Sequence, residues 1–129
     1  MKKILLVDDL GIDVLLTRLA IEECRFEHQL VIAHDGEEAL ALVAAERFDL
    51  MLLDIKMPKV DGFEFLARLR DSAEPGAPAL AAIIVSGSGL AADRERARQL
   101  GALGYIQKAV DYSVFKAELK SALKHQGMF

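Results

Sequence analysis

The sequence predicts a doubly wound α/β domain in which five parallel strands alternate with five helices. Two observations lead there. Short apolar runs alternate along the chain with segments whose apolar residues recur three and four apart, and each junction carries residues that stop one element and start the next. One run, Leu50-Met51-Leu52-Leu53, is apolar without alternation and ends abruptly at Asp54, as a strand covered on both faces does. Such strands belong to parallel sheets, whose ligands gather at the carboxyl ends.

Composition bounds the reading. At 129 residues, with 53% hydrophobic and 28% charged, the chain fits a single domain over 1–129 with a real core. The net charge of −4, with bases interspersed among acids, leaves no field for nucleic acid. The apolar run before Asp8 is only four residues long, Ile4 to Val7, too few for a signal peptide, and no run approaches membrane-spanning length, so a cytoplasmic location without membrane contact is expected. A single cysteine, Cys24, and isolated His28, His34 and His125 leave no disulfide pair and no structural zinc set.

The elements follow in order. Lys3 to Val7 is the first strand, and Ile12, Leu15, Leu16, Leu19 and Ala20 mark the face of the first helix. Gln29 to Ala33 is the second strand; Asp35 with Glu38 three residues on is an N-cap signal for a helix carrying Ala39, Leu40, Leu42 and Val43. After the third strand, Asp61 and Glu64 repeat that signal, Phe63, Leu66 and Leu69 form the stripe, and Arg68 and Arg70 are expected to face water. Pro58 shapes the turn between them. Asp71 to Ala79, with Pro75, Gly76 and Pro78, reads as a loop. Leu80 to Val85 is the fourth strand, and Leu90 to Leu100 is a helix stopped by Gly101 and bearing a solvated run of Arg94, Glu95, Arg96 and Arg98. The short fifth strand, through Tyr105, Ile106 and Gln107, ends at Lys108. Asp111 caps the last helix, with Val110 and Phe115 as a hydrophobic staple and Phe115, Leu119, Ala122 and Leu123 on one face.

This order places Asp8, Asp9, Asp54, Ser86 and Lys108 at carboxyl ends of strands, along one edge of the sheet. Three carboxylates in one crevice repel each other, and a hard divalent cation relieves that repulsion. Mg²⁺, which is usually held by one or two carboxylates together with phosphate oxygens, suits the set; Lys108 adds a point positive charge and Ser86 a hydroxyl donor. Together they describe a phosphoryl pocket.

Asp8-Asp9 after the first strand, Asp54 within Leu-Asp-Ile-Lys-Met-Pro-Lys-Val-Asp-Gly, Ser86 after the fourth strand, and Tyr105 three residues before Lys108 resemble the receiver domain of two-component response regulators, along the whole chain. The resemblance implies a flavodoxin-like fold with strand order 2-1-3-4-5. It implies a single-domain response regulator, not an enzyme in the usual sense, in which Asp54 accepts a phosphoryl group from a sensor histidine kinase or a phosphotransfer protein. Asp8, Asp9, Asp54 and the Lys56 backbone carbonyl would hold Mg²⁺. Lys108 and Ser86 would bind the phosphoryl oxygens, and Tyr105 would rotate into space vacated by Ser86, reshaping the face of the fourth helix, fifth strand and fifth helix for a downstream protein or a second copy. Lys56 and Ser88 would flank the hydrolytic water and tune the phosphoryl lifetime. One departure from the family pattern is Ala109, where proline usually follows the lysine in a cis peptide; a trans bond and a reshaped loop are expected there.

Other readings compete. A receiver-shaped scaffold that is never phosphorylated would keep the fold without the chemistry. A haloacid-dehalogenase-type phosphatase also attacks with an aspartate, but needs a second acid two residues after it on the first strand, where Leu10 follows Asp8-Asp9. A flavodoxin-like electron carrier would need a phosphate cradle where Asp8-Asp9-Leu10-Gly11 stands.

Overall fold

The apolar runs pair into one five-stranded parallel sheet of order β2-β1-β3-β4-β5. The computed structural model describes residues 1–57, 60–74, 76–108 and 111–129. The strands are β1 Lys2–Val7, β2 His28–Ala33, β3 Leu50–Leu53, β4 Ala82–Ser86 and β5 Gly104–Gln107; the helices are α1 Gly11–Glu23, α2 Gly36–Ala45, α3 Gly62–Arg70, α4 Ala91–Gln99 and α5 Tyr112–His125. A short 3₁₀ turn, Ala77–Ala79, interrupts the loop before β4. The expected class and strand order are therefore the observed ones. The turn at Pro58, the Lys108-Ala109 peptide and the Val110 staple lie outside the described residues.

Strand alternation divides the core in two. Leu5, Val7, Met51, Leu53 and Ile84 point to one face, where Ala39 of α2, Phe63, Leu66 and Leu69 of α3 and Ala97 of α4 cover them. Ile4, Leu6, Leu50, Leu52, Ile83 and Val85 point to the other, under Val14, Ala20 and Ile21 of α1 and Phe115, Leu119 and Leu123 of α5. Both faces of β3 are thus dry, which is why its sequence does not alternate.

Local signals set the helix ends. Asp35 Oδ1 accepts from the Glu38 N–H at 2.8 Å, Asp61 Oδ1 from the Glu64 N–H at 2.8 Å, and Asp111 Oδ1 from the Ser113 N–H at 2.8 Å. Gly101, at φ +83°, takes the left-handed conformation that ends α4.

Two expectations are corrected. The buried face of α1 is Val14, Thr17, Ala20 and Ile21, whereas Ile12, Leu15 and Leu19 are 57%, 48% and 41% exposed. Apolar residues occupy most of this helix's circumference, so periodicity offered two stripes; the richer one in Ile and Leu turned outward. Arg70 is only partly in water. Its guanidinium donates to the carbonyls of Leu100, Pro78, Leu80 and Gly101 at 2.8–3.0 Å, tying the end of α3 to the segments that lead into β4 and β5. Arg68 does stay exposed, paired with Glu64 at 2.9 Å. In the α4 run, Arg94 lies over the Tyr105 ring and Arg96 over the Phe63 ring, each 4.6 Å from the centroid.

Candidate phosphoryl and metal site

Ladder bonds carry the strands one residue past their ends and bring the polar residues together. The Asp8 N–H donates to Ala33 O at 3.0 Å, the Asp54 N–H to Val7 O at 2.9 Å, and the Lys108 N–H to Ser86 O at 2.7 Å. Each functional side chain thus leaves a backbone already fixed to its neighbour. Asp54 is held from the other side too. The Gly62 N–H donates to Ile55 O at 2.7 Å, and a Cβ on Gly62 would fall 2.2 Å from the Asp54 carbonyl oxygen. The start of α3 can approach this loop only because residue 62 lacks a side chain.

Asp8 and Asp54 are buried while Asp9 is exposed, and one carboxylate oxygen from each of the three acids lies within 4.8 Å of the others. Among the described residues no other cluster of this kind occurs. Asp8 Oδ1 also accepts from the Leu10 N–H at 3.1 Å, which orients its carboxylate from the strand exit. Lys108 faces the acids, with Nζ 2.9 Å from Asp8 Oδ2, 2.8 Å from Asp13 Oδ2 and 3.3 Å from Asp54 Oδ2.

The charges act on one another. Burial pushes the Asp54 carboxyl up to about 6; the Lys108 ammonium opposes this, the Asp8 carboxylate adds to it, and the Lys56 backbone hydrogen bond works against it. Burial alone would pull Lys108 down, but its hydrogen bonds to Asp13 and Asp8, with the Asp54 and Asp8 charges, hold it above the usual lysine range. The site carries more negative charge than one ammonium balances. A hard divalent cation with oxygen preference fits this donor set.

Ser86 is fully buried, and its Oγ accepts from the Ser88 N–H at 3.3 Å. The Ser88 hydroxyl donates to Asp93 Oδ2 at 2.5 Å, and the Ser88 carbonyl accepts from the Tyr105 hydroxyl at 2.8 Å. Ser86, Ser88 and Tyr105 are therefore one hydrogen-bonded series. Tyr105 is already engaged with the loop below it and packs against the core. Lys56 is exposed two residues after Asp54, to which its backbone hydrogen-bonds.

The fold gathers Asp8, Asp9, Asp54 and Lys108 in one cluster and links Ser86, Ser88 and Tyr105 in a second series, the two joined where the Lys108 N–H meets Ser86 O. Sequence reasoning missed Asp13, whose only local signal is an acid in the first turn of α1, a pattern that ordinarily reflects the helix dipole. Beyond Lys108, Tyr105 and Arg94 line a groove of about 720 Å³ between α4, β5 and α5, with Val114, Glu118 and Ala122 on its far side.

Comparison with known proteins agrees with this arrangement. The transcriptional regulatory protein CpxR of Escherichia coli strain K12 is 36% identical over 125 residues, 96% of this chain and 50% of that protein. The chain thus spans about half the length of the first curated relatives it matches. Among solved structures, the Mn²⁺-bound response regulator Rcp1 superposes with a TM-score of 0.86 at 25% identity, covering 96% of this chain and 93% of that one. The phosphorylated cyanobacterial phytochrome response regulator RcpA does so with a TM-score of 0.86 at 30% identity, covering 97% and 93%. No helix among the described residues is long and apolar enough to cross a membrane. Residues 4–120 match the response regulator receiver domain, and with the acid cluster, Lys108 and the 2-1-3-4-5 sheet they make this chain a member of that family of two-component signalling domains.

Proposed function

We propose that Asp54 accepts a phosphoryl group from the phosphohistidine of a sensor histidine kinase or phosphotransfer protein, and that the modification switches the α4, β5 and α5 face for a downstream protein. One observation carries this reading: a buried carboxylate stands with an ammonium 3.3 Å away and two further acids within reach of a shared cation. Asp8, Asp9, Asp54 and the Lys56 backbone carbonyl would hold Mg²⁺, which supplies charge neutralisation for the transferring phosphoryl oxygens when bound.

The chain's own residues do the rest. An ionised Asp54 oxygen attacks phosphorus as the bond to the donor imidazole nitrogen breaks, and the imidazole leaves with the electron pair. Lys108 and the Ser86 hydroxyl then donate to phosphoryl oxygens, supplying fixed positive potential where charge has accumulated. The link from Ser86 through Ser88 to Tyr105 supports the switch, because moving the Ser86 hydroxyl disturbs the loop whose carbonyl holds Tyr105. Tyr105 and Lys108 both border the α4, β5 and α5 groove, so a change at either alters a surface that suits a partner protein or a second copy. Lys56 and Ser88 flank the path of a hydrolytic water, and Ser88 is restrained by Asp93. We place this domain in the cytoplasm, making no direct nucleic-acid or membrane contact of its own.

Intact-mass analysis after incubation with acetyl phosphate tests this. The expected result is a gain of one phosphoryl group with Mg²⁺, none with chelator, and none in Asp54→Asn. A gain that persists in the variant would move the acceptor elsewhere. If no gain appears, the absence of any beryllofluoride-induced NMR change near Asp54 would favour an unphosphorylated scaffold.

A further inference from the structure

Lys108 is shared, and its shortest contact is with a residue outside the acid cluster. Asp13 Oδ2 lies 2.8 Å from Nζ, against 2.9 Å for Asp8 and 3.3 Å for Asp54. Asp13 sits in the first turn of α1, half-buried, and its carboxylate is not among the three whose oxygens can converge on one cation. An ammonium has three N–H donors, and here three carboxylates surround it. Its hydrogen bonds go to Asp8 and Asp13, while Asp54 at 3.3 Å is an ion-pair contact, so a phosphoryl group on Asp54 must draw the ammonium toward itself against the pull of Asp13 and Asp8.

A cation decides which one resists. With a divalent ion bound, Asp8 and Asp54 share their charge with the metal and their pull on Lys108 weakens. Asp13 gains no such partner. Its full charge stays on Lys108, and that same charge repels an incoming anion in a poorly hydrated pocket.

We infer that Asp13 is a positioning residue for the phosphoryl site: it holds Lys108 against the first turn of α1 and competes with the phosphoryl group for the ammonium. It thereby limits how tightly the modified state is held. This inference rests on the reading of Asp54 as phosphoacceptor. The role is a counterweight, so its removal strengthens anion binding, an effect that structural damage does not produce.

The test is a beryllofluoride titration at saturating Mg²⁺, followed by NMR, on the wild-type chain, Asp13→Asn and Asp13→Glu, with Asp13→Ser as a second uncharged variant should the asparagine protein fail to fold. Saturation with Mg²⁺ is established separately for each, since the variants remove charge near the cation. Asp13→Asn is expected to bind beryllofluoride about three- to tenfold more tightly, with Asp13→Glu returning toward wild-type affinity. Equal or weaker binding in a folded, Mg²⁺-saturated uncharged variant would overturn the inference while leaving the acceptor reading intact. Absence of beryllofluoride binding to the wild-type chain, together with no phosphoryl gain by mass, would remove both.

Discussion

The two ends of the sheet handle charge in opposite ways. Where the strands begin, Lys3, Asp49 and Arg70 meet fixed partners: Lys3 pairs with Glu46, the Lys3 N–H donates to Asp49 Oδ2 at 2.7 Å, and Arg70 donates to four carbonyls. Where the strands finish, Lys108 is divided among Asp8, Asp13 and Asp54, with Asp9 exposed beside them. Carbonyls do not titrate, and a guanidinium donating to four of them has one low-energy arrangement. Carboxylates in excess over cations can be protonated, can take a metal or can give up an ammonium. One end has its charges matched; the other holds more carboxylates than its one ammonium balances.

Gly62→Ala should break this division most severely, because the new Cβ meets the backbone of Asp54 and Ile55, which cannot swing away as a side chain would. A loss of about 2–4 kcal/mol in urea unfolding is expected, with weakened Mg²⁺ binding by titration. A variant that bound Mg²⁺ as the wild type does would show that the Asp54 backbone position is not what sets the site. Arg70→Met should cost about 2–3 kcal/mol by freeing part-buried carbonyls, yet leave Mg²⁺ affinity within about twofold. A large change in that affinity would mean that the two ends are coupled.

The smallest effect concerns pH in metal-free protein. Asp54 sits at about 6 in the fold against an ordinary 3.8, so between those values the native state binds more protons than the unfolded chain. Stability therefore falls as pH rises through that window, by roughly 1–3 kcal/mol. Asp54→Asn should lack this slope and exceed the wild type at pH 7.5, the gap closing toward pH 4 and on adding Mg²⁺. Parallel slopes for both proteins in chelator would place the strain on another group.

Much of this architecture is legible residue by residue. The uninterrupted run into Asp54 marks a strand covered on both sides, and Asp35, Asp61 and Asp111 start helices by bonding to nearby amides. The acids, Ser86 and Lys108 could be gathered because alternating strands and helices send every strand's carboxyl end to the same edge. The outward stripe of α1 was misread because both stripes satisfy the same spacing. Arg70 was misread because nothing near it in sequence distinguishes an arginine that reaches carbonyls thirty residues away from one in water.

The sequence by itself determined which segments become strands and helices, to within about two residues at their ends, and which edge gathers the acids and Lys108, because caps, breakers and apolar periods act over a few residues. Only the tertiary structure decided which side of α1 is buried, that Arg70 clamps the opposite end, and that Lys108 answers to Asp13 as well as to Asp8 and Asp54. Those outcomes depend on helix phase and on contacts between residues as far as 100 positions apart, set by packing against the sheet and carried by no local pattern.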